Sequence, residues 1–180
     1  MLYRTNRWTT PPDTVAPDVL ELTWEVFGEL CRALAVKVAQ SGYHPDLVIG
    51  IAKAGVIPGA VIASILQCDF FSMKISRDVG VERVRERPKI FSAAPREAAN
   101  QRVLIADEIC TSGETLRMAT NAIRQVGPAE MKTASTFVKG KCVPDFYALK
   151  TEATIVFPWD RQIVDDAGEL LTNPIYQKLL

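Results

Sequence analysis

An α/β fold, with a central parallel sheet flanked by helices on both faces, is predicted by three features of this sequence. Runs such as Leu47-Val48-Ile49 and Val103-Leu104-Ile105-Ala106 are apolar at every position, as expected of strands covered on both sides rather than one. Segments with helical apolar spacing separate these runs, so strands and helices alternate along the chain. Two of the runs lead into glycine-bearing turns that open the next helix, and ligands of open α/β sheets bind at such carboxyl ends.

The first helix is expected from Leu20, Trp24, Phe27, Leu30, Leu34 and Val38, which share one face, with Asp18 or Thr23 as cap and Ser41-Gly42 as stop. A short buried strand over 46–51 follows, then an apolar helix over 56–66 and a strand over 70–75. After the strand over 103–106, Leu116, Met118, Ala119, Ala122, Ile123 and Val126 mark a helix that stops near Gly127-Pro128. Another strand is expected over 133–138. Residues 1–17, rich in Pro and Thr, read as an irregular arm. Residues 76–102 form a long polar insertion in which basic residues outnumber acids; it is expected to be a flexible lid. Residues 140–180 are expected to form a small hood and tail.

A length of 180 residues with 48% hydrophobic content supports one well-buried core, and a single domain over 1–180 is expected. Basic and acidic residues number 21 each, so no global field favours nucleic acid or an anionic membrane. No apolar stretch reaches membrane-spanning length and the first residues lack a signal peptide's apolar core, which makes the cytoplasm the expected location. Cys31, Cys68, Cys110 and Cys142 are dispersed without a C-x-x-C pair, which argues against a zinc site or a disulfide framework. Cys110 is expected as a small buried filler. His44, the one histidine, precedes Pro45 in a connector and is expected at the surface.

The densest chemistry lies in Val103-Leu104-Ile105-Ala106-Asp107-Glu108-Ile109-Cys110-Thr111-Ser112-Gly113-Glu114-Thr115. A buried strand ends in two acids and is followed by a hydroxyl-and-glycine turn at a helix amino terminus. Free N–H groups and the helix dipole at that terminus favour a phosphate, and Gly113 lets the backbone approach it closely. Asp107 and Glu108 would repel the phosphate itself, so they suit sugar hydroxyls or Mg²⁺. A second turn, Gly50-Ile51-Ala52-Lys53-Ala54-Gly55-Val56, sets a lysine among small residues between a strand and a helix. It has the glycine spacing of a Walker A loop, but Val56-Ile57 stands where that loop needs Lys and Ser or Thr.

The first of these segments resembles the PRPP-binding signature of the type I phosphoribosyltransferases, with Glu108 where Asp is commoner. The resemblance implies that Asp107 and Glu108 hold the ribose 2- and 3-hydroxyls of PRPP and that Thr111, Ser112, Gly113, Glu114 and Thr115 wrap its 5-phosphate. Ala52, Lys53, Ala54 and Gly55 resemble the family's pyrophosphate loop, in which Ala52-Lys53 is the candidate for a cis peptide bond. Lys74 and Arg77 are expected to contact phosphate. Mg²⁺ is implied as cofactor, carried mostly by substrate and helped by Asp107 and Glu108, with Lys53 beside these acids as the third catalytic candidate.

Downstream, Thr136-Phe137-Val138-Lys139 and Ile155-Val156-Phe157-Pro158-Trp159-Asp160 are similar to the 6-oxopurine members, especially the xanthine-guanine type. The resemblance then covers about residues 23–160 and assigns the base to Lys139, Thr154, Ile155 and Phe157. Two positions depart from that type: Thr111 stands where Asp is usual, and Thr154 where a large aromatic is usual. Phe146, Tyr147, Phe157 and Trp159 are more simply explained as packing. The implied function is transfer of the phosphoribosyl group of PRPP to a base, with pyrophosphate released, in a protein expected to be a homodimer. The alternatives left open are a PRPP- or nucleotide-sensing protein without turnover and a transferase for a non-purine base.

Overall fold

The computed structural model describes residues 18–78 and 84–177. The expectations for residues 1–17, the tip of the 76–102 insertion and the last three residues lie outside those described. Among the described residues two compact units emerge, one within 30–151 and one formed by 18–29 with 152–177.

The larger unit is built on a six-stranded sheet. Its strands are β2 (Leu47–Ala52), β3 (Asp69–Asp78), β4 (Val84–Ile90), β5 (Arg102–Cys110), β6 (Glu130–Val138) and β7 (Phe146–Lys150). They lie in the order β4-β3-β2-β5-β6-β7, and only β4 runs antiparallel to its neighbour. Side chains of a strand alternate between faces, and both faces here are apolar. Leu47, Ile49, Ile51, Val103 and Ile105 pack with Leu116, Ala119 and Ile123 of α3 (Glu114–Arg124). Val48, Leu104 and Ala106 pack with Leu34, Ala35 and Val38 of α1 (Trp24–Gln40) and Ile62 and Ala63 of α2 (Val56–Leu66). This double coverage is why β2 and β5 read as unbroken hydrophobic runs.

Gly42, at φ +80, stops α1 as expected, because glycine takes that backbone region without a Cβ clash. The strand over 103–106 runs further than its apolar core, to Cys110, so Asp107 and Glu108 sit inside the ladder rather than after it. Val126 packs on the core but lies beyond the end of α3. The 76–102 segment is not uniformly surface: Ala98, in a short 3-10 turn over Arg96–Ala98, is fully buried in the α3-side core. At the amino ends of the strands, Asp46 accepts hydrogen bonds from the Arg102 backbone N–H and from its guanidinium at 2.6 and 3.0 Å, tying the starts of β2 and β5 together.

In the smaller unit, β1 (Val19–Glu21) pairs in parallel with β8 (Thr154–Val156), and β9 (Gln162–Val164) forms a hairpin with β10 (Leu170–Thr172). Leu20 therefore belongs to a strand, opposite Ile155, and not to the first helix. The reason is local. Thr23 Oγ1 accepts the Val26 N–H at 3.3 Å, an N-cap contact that starts α1 at Trp24. Phe27, Phe157 and Trp159 form an aromatic cluster, with Phe157 and Trp159 stacked at 4.7 Å and Phe27 edge-on to Trp159 at 4.8 Å. The three rings pack on one another. No described helix is long and apolar enough to cross a membrane.

Candidate active site

The site is assembled at the carboxyl ends of β2 and β5, and its shape follows from two turns of opposite character. The turn after β5 opens α3. Gly113 adopts φ +75, and Ser112 Oγ accepts the Glu114 N–H at 3.4 Å, holding the first turn in place. Asp107, Ile109, Cys110, Thr111, Ser112, Gly113, Thr115 and Leu116 line a cavity of about 310 Å³. Thr111 and Ser112 are exposed there, which suits hydroxyls that must reach a ligand. Glu114 does not line it and instead faces Arg117, at 3.9 Å.

The turn after β2 contains the expected cis bond between Ala52 and Lys53. Ala52, Lys53 and Ala54 line a second cavity of about 270 Å³ together with Ile75, Ser76, Asp107, Glu108 and Thr115. Gly55 lies beneath the turn, buried against the neighbouring strand. A Cβ there would stand 2.7 Å from the Ile51 carbonyl oxygen, 2.8 Å from Asp107 Oδ1 and 2.9 Å from the Ala106 carbonyl oxygen. Its role is close approach, since only glycine allows the Lys53 turn to rest on Asp107.

Asp107 joins the two cavities. It is only 7% exposed, and its Oδ1 accepts the Glu108 N–H at 3.0 Å. Burial pushes its carboxyl well above the ordinary range, the Glu108 charge pushes it further, and the backbone hydrogen bond opposes both. Such an acid gains from any group that stabilises its charge, whether ribose hydroxyls or a cation. Among the described residues no three His, Cys, Asp or Glu side chains converge. Two adjacent carboxylates nevertheless fit Mg²⁺, which keeps waters and takes substrate oxygens in place of a full protein cage.

Not every expected residue reaches these cavities. Lys74 pairs with Ala52 across the β2–β3 ladder, but its ammonium lies 5.6 Å from the centre of the Phe91 ring on the face opposite Ile75. The Arg77 side chain lies outside the described residues. Lys139 sits at the end of β6, where its N–H donates to the Cys110 carbonyl at 2.9 Å, directly beside the phosphate turn. Thr154, Ile155 and Phe157 belong to the smaller unit, with Ile155 and Phe157 buried in it. Sequence reasoning missed Ile75 and Ser76 as lining residues, since a strand's pattern does not say which of its side chains border the turn of a neighbouring strand. It also missed Cys142, whose Sγ lies 2.5 Å from where a Cβ on Gly113 would be.

Comparison with known proteins identifies the family. The phosphoribosyl transferase domain pattern matches residues 22–166. The chain belongs to the phosphoribosyltransferase family. Among solved structures, a purine phosphoribosyltransferase from Pyrococcus horikoshii superposes with a TM-score of 0.69 at 29% identity, covering 82% of this chain and 98% of that one. The xanthine-guanine phosphoribosyltransferase of Gluconobacter oxydans is 25% identical over 144 residues, 77% of this chain and 83% of its own. The transcriptional regulator GfcR of Methanococcoides burtonii is also 25% identical, over 74% of this chain and 69% of its own. The family thus includes relatives named for catalysis and a relative named for regulation.

Proposed function

We propose that this phosphoribosyltransferase-family protein transfers the 5-phosphoribosyl group of PRPP to a nitrogenous base, a 6-oxopurine in the first instance, with release of pyrophosphate. The observation that carries this reading is Asp107, a buried acid bordering both the phosphate turn and the Lys53 turn. Thr111, Ser112, Gly113 and Thr115 would bind the 5-phosphate, Asp107 and Glu108 the ribose hydroxyls, and Ala52, Lys53 and Ala54 the departing pyrophosphate. The bond from the anomeric carbon to pyrophosphate breaks as a base nitrogen attacks. The protein's contribution is to hold the ribose, neutralise the leaving group through Lys53 and exclude water. Mg²⁺, where bound, supplies further positive charge to the pyrophosphate oxygens.

Lys139 would donate to a 6-oxo group. Purine-named relatives support the 6-oxopurine assignment, while Thr111 in place of the usual Asp favours keeping a non-purine acceptor in the test. A second reading, PRPP or nucleotide sensing without turnover, draws support from the regulator among the relatives. Pyrophosphate release with PRPP, Mg²⁺ and a panel of hypoxanthine, guanine, xanthine, orotate and uracil decides between them. Release with an oxopurine is the expected result; tight PRPP binding with no turnover on any base establishes the sensing reading. The proposal extends to a homodimer acting in the cytoplasm, and light scattering on the purified protein tests the dimer.

A further inference from the structure

Two thiols that are far apart in sequence meet beneath the phosphate turn. Cys110 is the last residue of β5 and is buried; Cys142, in the connection between β6 and β7, is half-buried. The register brings them together: Cys110 pairs with Val138, and the Lys139 N–H donates to the Cys110 carbonyl, so the chain leaving β6 folds back across the start of the turn. Cys142 packs on the core cluster that contains Cys110. Both sulfurs face Gly113. A Cβ on that residue would stand 2.5 Å from Cys142 Sγ and 3.9 Å from Cys110 Sγ.

We propose that Cys110 and Cys142 form a thiol–disulfide exchange site, oxidised by a low-molecular-weight disulfide, whose cross-link fixes the phosphate turn and weakens ligand binding there. Cys142, the more accessible thiol, loses its proton and attacks one sulfur of the small disulfide. A mixed disulfide forms, and one small thiolate leaves and takes up a proton. Cys110 then loses its proton and attacks Cys142 Sγ, and the second small thiol departs. Two protein thiols have lost two electrons, and one small disulfide has become two thiols. A disulfide needs its sulfurs about 2.0 Å apart, closer than two thiols in contact. Closure therefore draws Cys142 toward the end of β5 and removes play from residues 111–115, so the turn can no longer adjust to close around a phosphate.

The consequence for PRPP rests on the function proposed above; the cross-link itself does not. The test treats the full chain with oxidised glutathione, maps peptides without reduction and follows amide hydrogen exchange at residues 111–115 in parallel with PRPP binding. Expected are a Cys110–Cys142 peptide two hydrogens lighter than the separate thiols, slower exchange over 111–115 and PRPP affinity lower by roughly 10-fold or more, all reversed by dithiothreitol. Cys142→Ser should keep reduced-state PRPP binding and lose every response to glutathione disulfide. Glutathione adducts without the Cys110–Cys142 link, or a link that leaves exchange at 111–115 unchanged, overturn the proposal. If the reduced protein binds no PRPP, the proposed function fails, while peptide mapping and exchange still decide the thiol pair.

Discussion

The turns after β2 and β5 both carry a glycine at the start of a helix, yet each needs glycine for a different reason. Gly55 has an ordinary right-handed backbone, φ −64, and is surrounded by fixed atoms: two carbonyl oxygens and the Asp107 carboxylate. Gly113 has φ +75 and its closest neighbour is a sulfur on a short connection. One position is restricted by space and the other by conformation. The helices differ in the same sense. α2 is apolar at every position but Ser64, with Pro58, Gly59, Ile62 and Ala63 buried, so its turn is anchored from below. α3 buries one face only, through Leu116, Ala119 and Ile123, and leaves its first turn to be shaped by hydroxyls and by whatever binds.

Gly55→Ala gives the largest expected effect, because two of the three atoms nearest the new Cβ are backbone carbonyl oxygens and the third is a buried carboxylate oxygen held by the Glu108 N–H. Overpacking of this kind costs about 1–3 kcal/mol and sometimes more. In a chain of this size that corresponds to a fall in melting temperature of up to roughly 10 °C. The displaced Asp107 should also abolish PRPP binding. A variant that melts like the wild type would show that the Lys53 turn does not rest on Asp107.

Asp107→Asn separates function from stability at the point where the two turns meet. Losing charge-assisted hydrogen bonds to ribose should weaken PRPP binding by roughly 10- to 100-fold, measurable by calorimetry. Stability should move the other way. The folded chain holds the Asp107 proton more tightly than the unfolded chain, so wild-type stability falls as pH rises from the ordinary carboxylate range through the raised value. Asn carries no such charge. The unliganded variant should therefore melt above the wild type near neutral pH, and the gap should close as pH falls toward 4. A variant that loses stability at neutral pH would mean that the Asp107 carboxylate is supported by contacts beyond the Glu108 N–H.

Gly113→Ala should cost less than Gly55→Ala, about 1–2 kcal/mol for the left-handed backbone, because the Cys142 sulfur can move aside. Adding Cys142→Ala should recover any part due to the sulfur. If single and double variants melt together, conformation alone governs this turn. If the double variant returns to the wild-type temperature, space governs both turns and the contrast between them disappears.

Much of this contrast was legible in sequence. The apolar runs of β2 and β5 announced a doubly covered sheet, and the spacing of acids, hydroxyls and glycine located the turn that opens α3. The chain could not reveal why Gly55 must be glycine, because the atoms that crowd it come from β5 across the sheet. Nor could it reveal the meeting of Cys110 and Cys142, which depends on the β5–β6 register. Leu20 misled because its spacing to Trp24 suits a helix, whereas the Thr23 cap starts that helix later. Strand β4 and the β9–β10 hairpin went unread: they are short or charged, and their pairing depends on partners rather than on periodicity. Lys74 shows the same limit at the site, since its strand position was readable and its direction toward Phe91 was not.

Asp46 and Arg102, at the opposite ends of β2 and β5, should give the smallest effect. The guanidinium holds the Asp46 carboxyl at about 2, through side-chain hydrogen bonds first and the backbone N–H second. Depression of an acid contributes stability above its ordinary range, and that contribution is lost as pH falls through the lowered value. The pair is partly solvent-exposed, which screens it. Asp46→Asn should lower the melting temperature by no more than about 3 °C near neutral pH, with the difference vanishing toward pH 2. PRPP affinity should be unchanged, because both ligand turns lie at the carboxyl ends of these strands. A variant that loses PRPP binding while keeping its melting temperature would mean that β2 and β5 transmit changes along their length, and the two turns could no longer be treated as independent of the ladder that carries them.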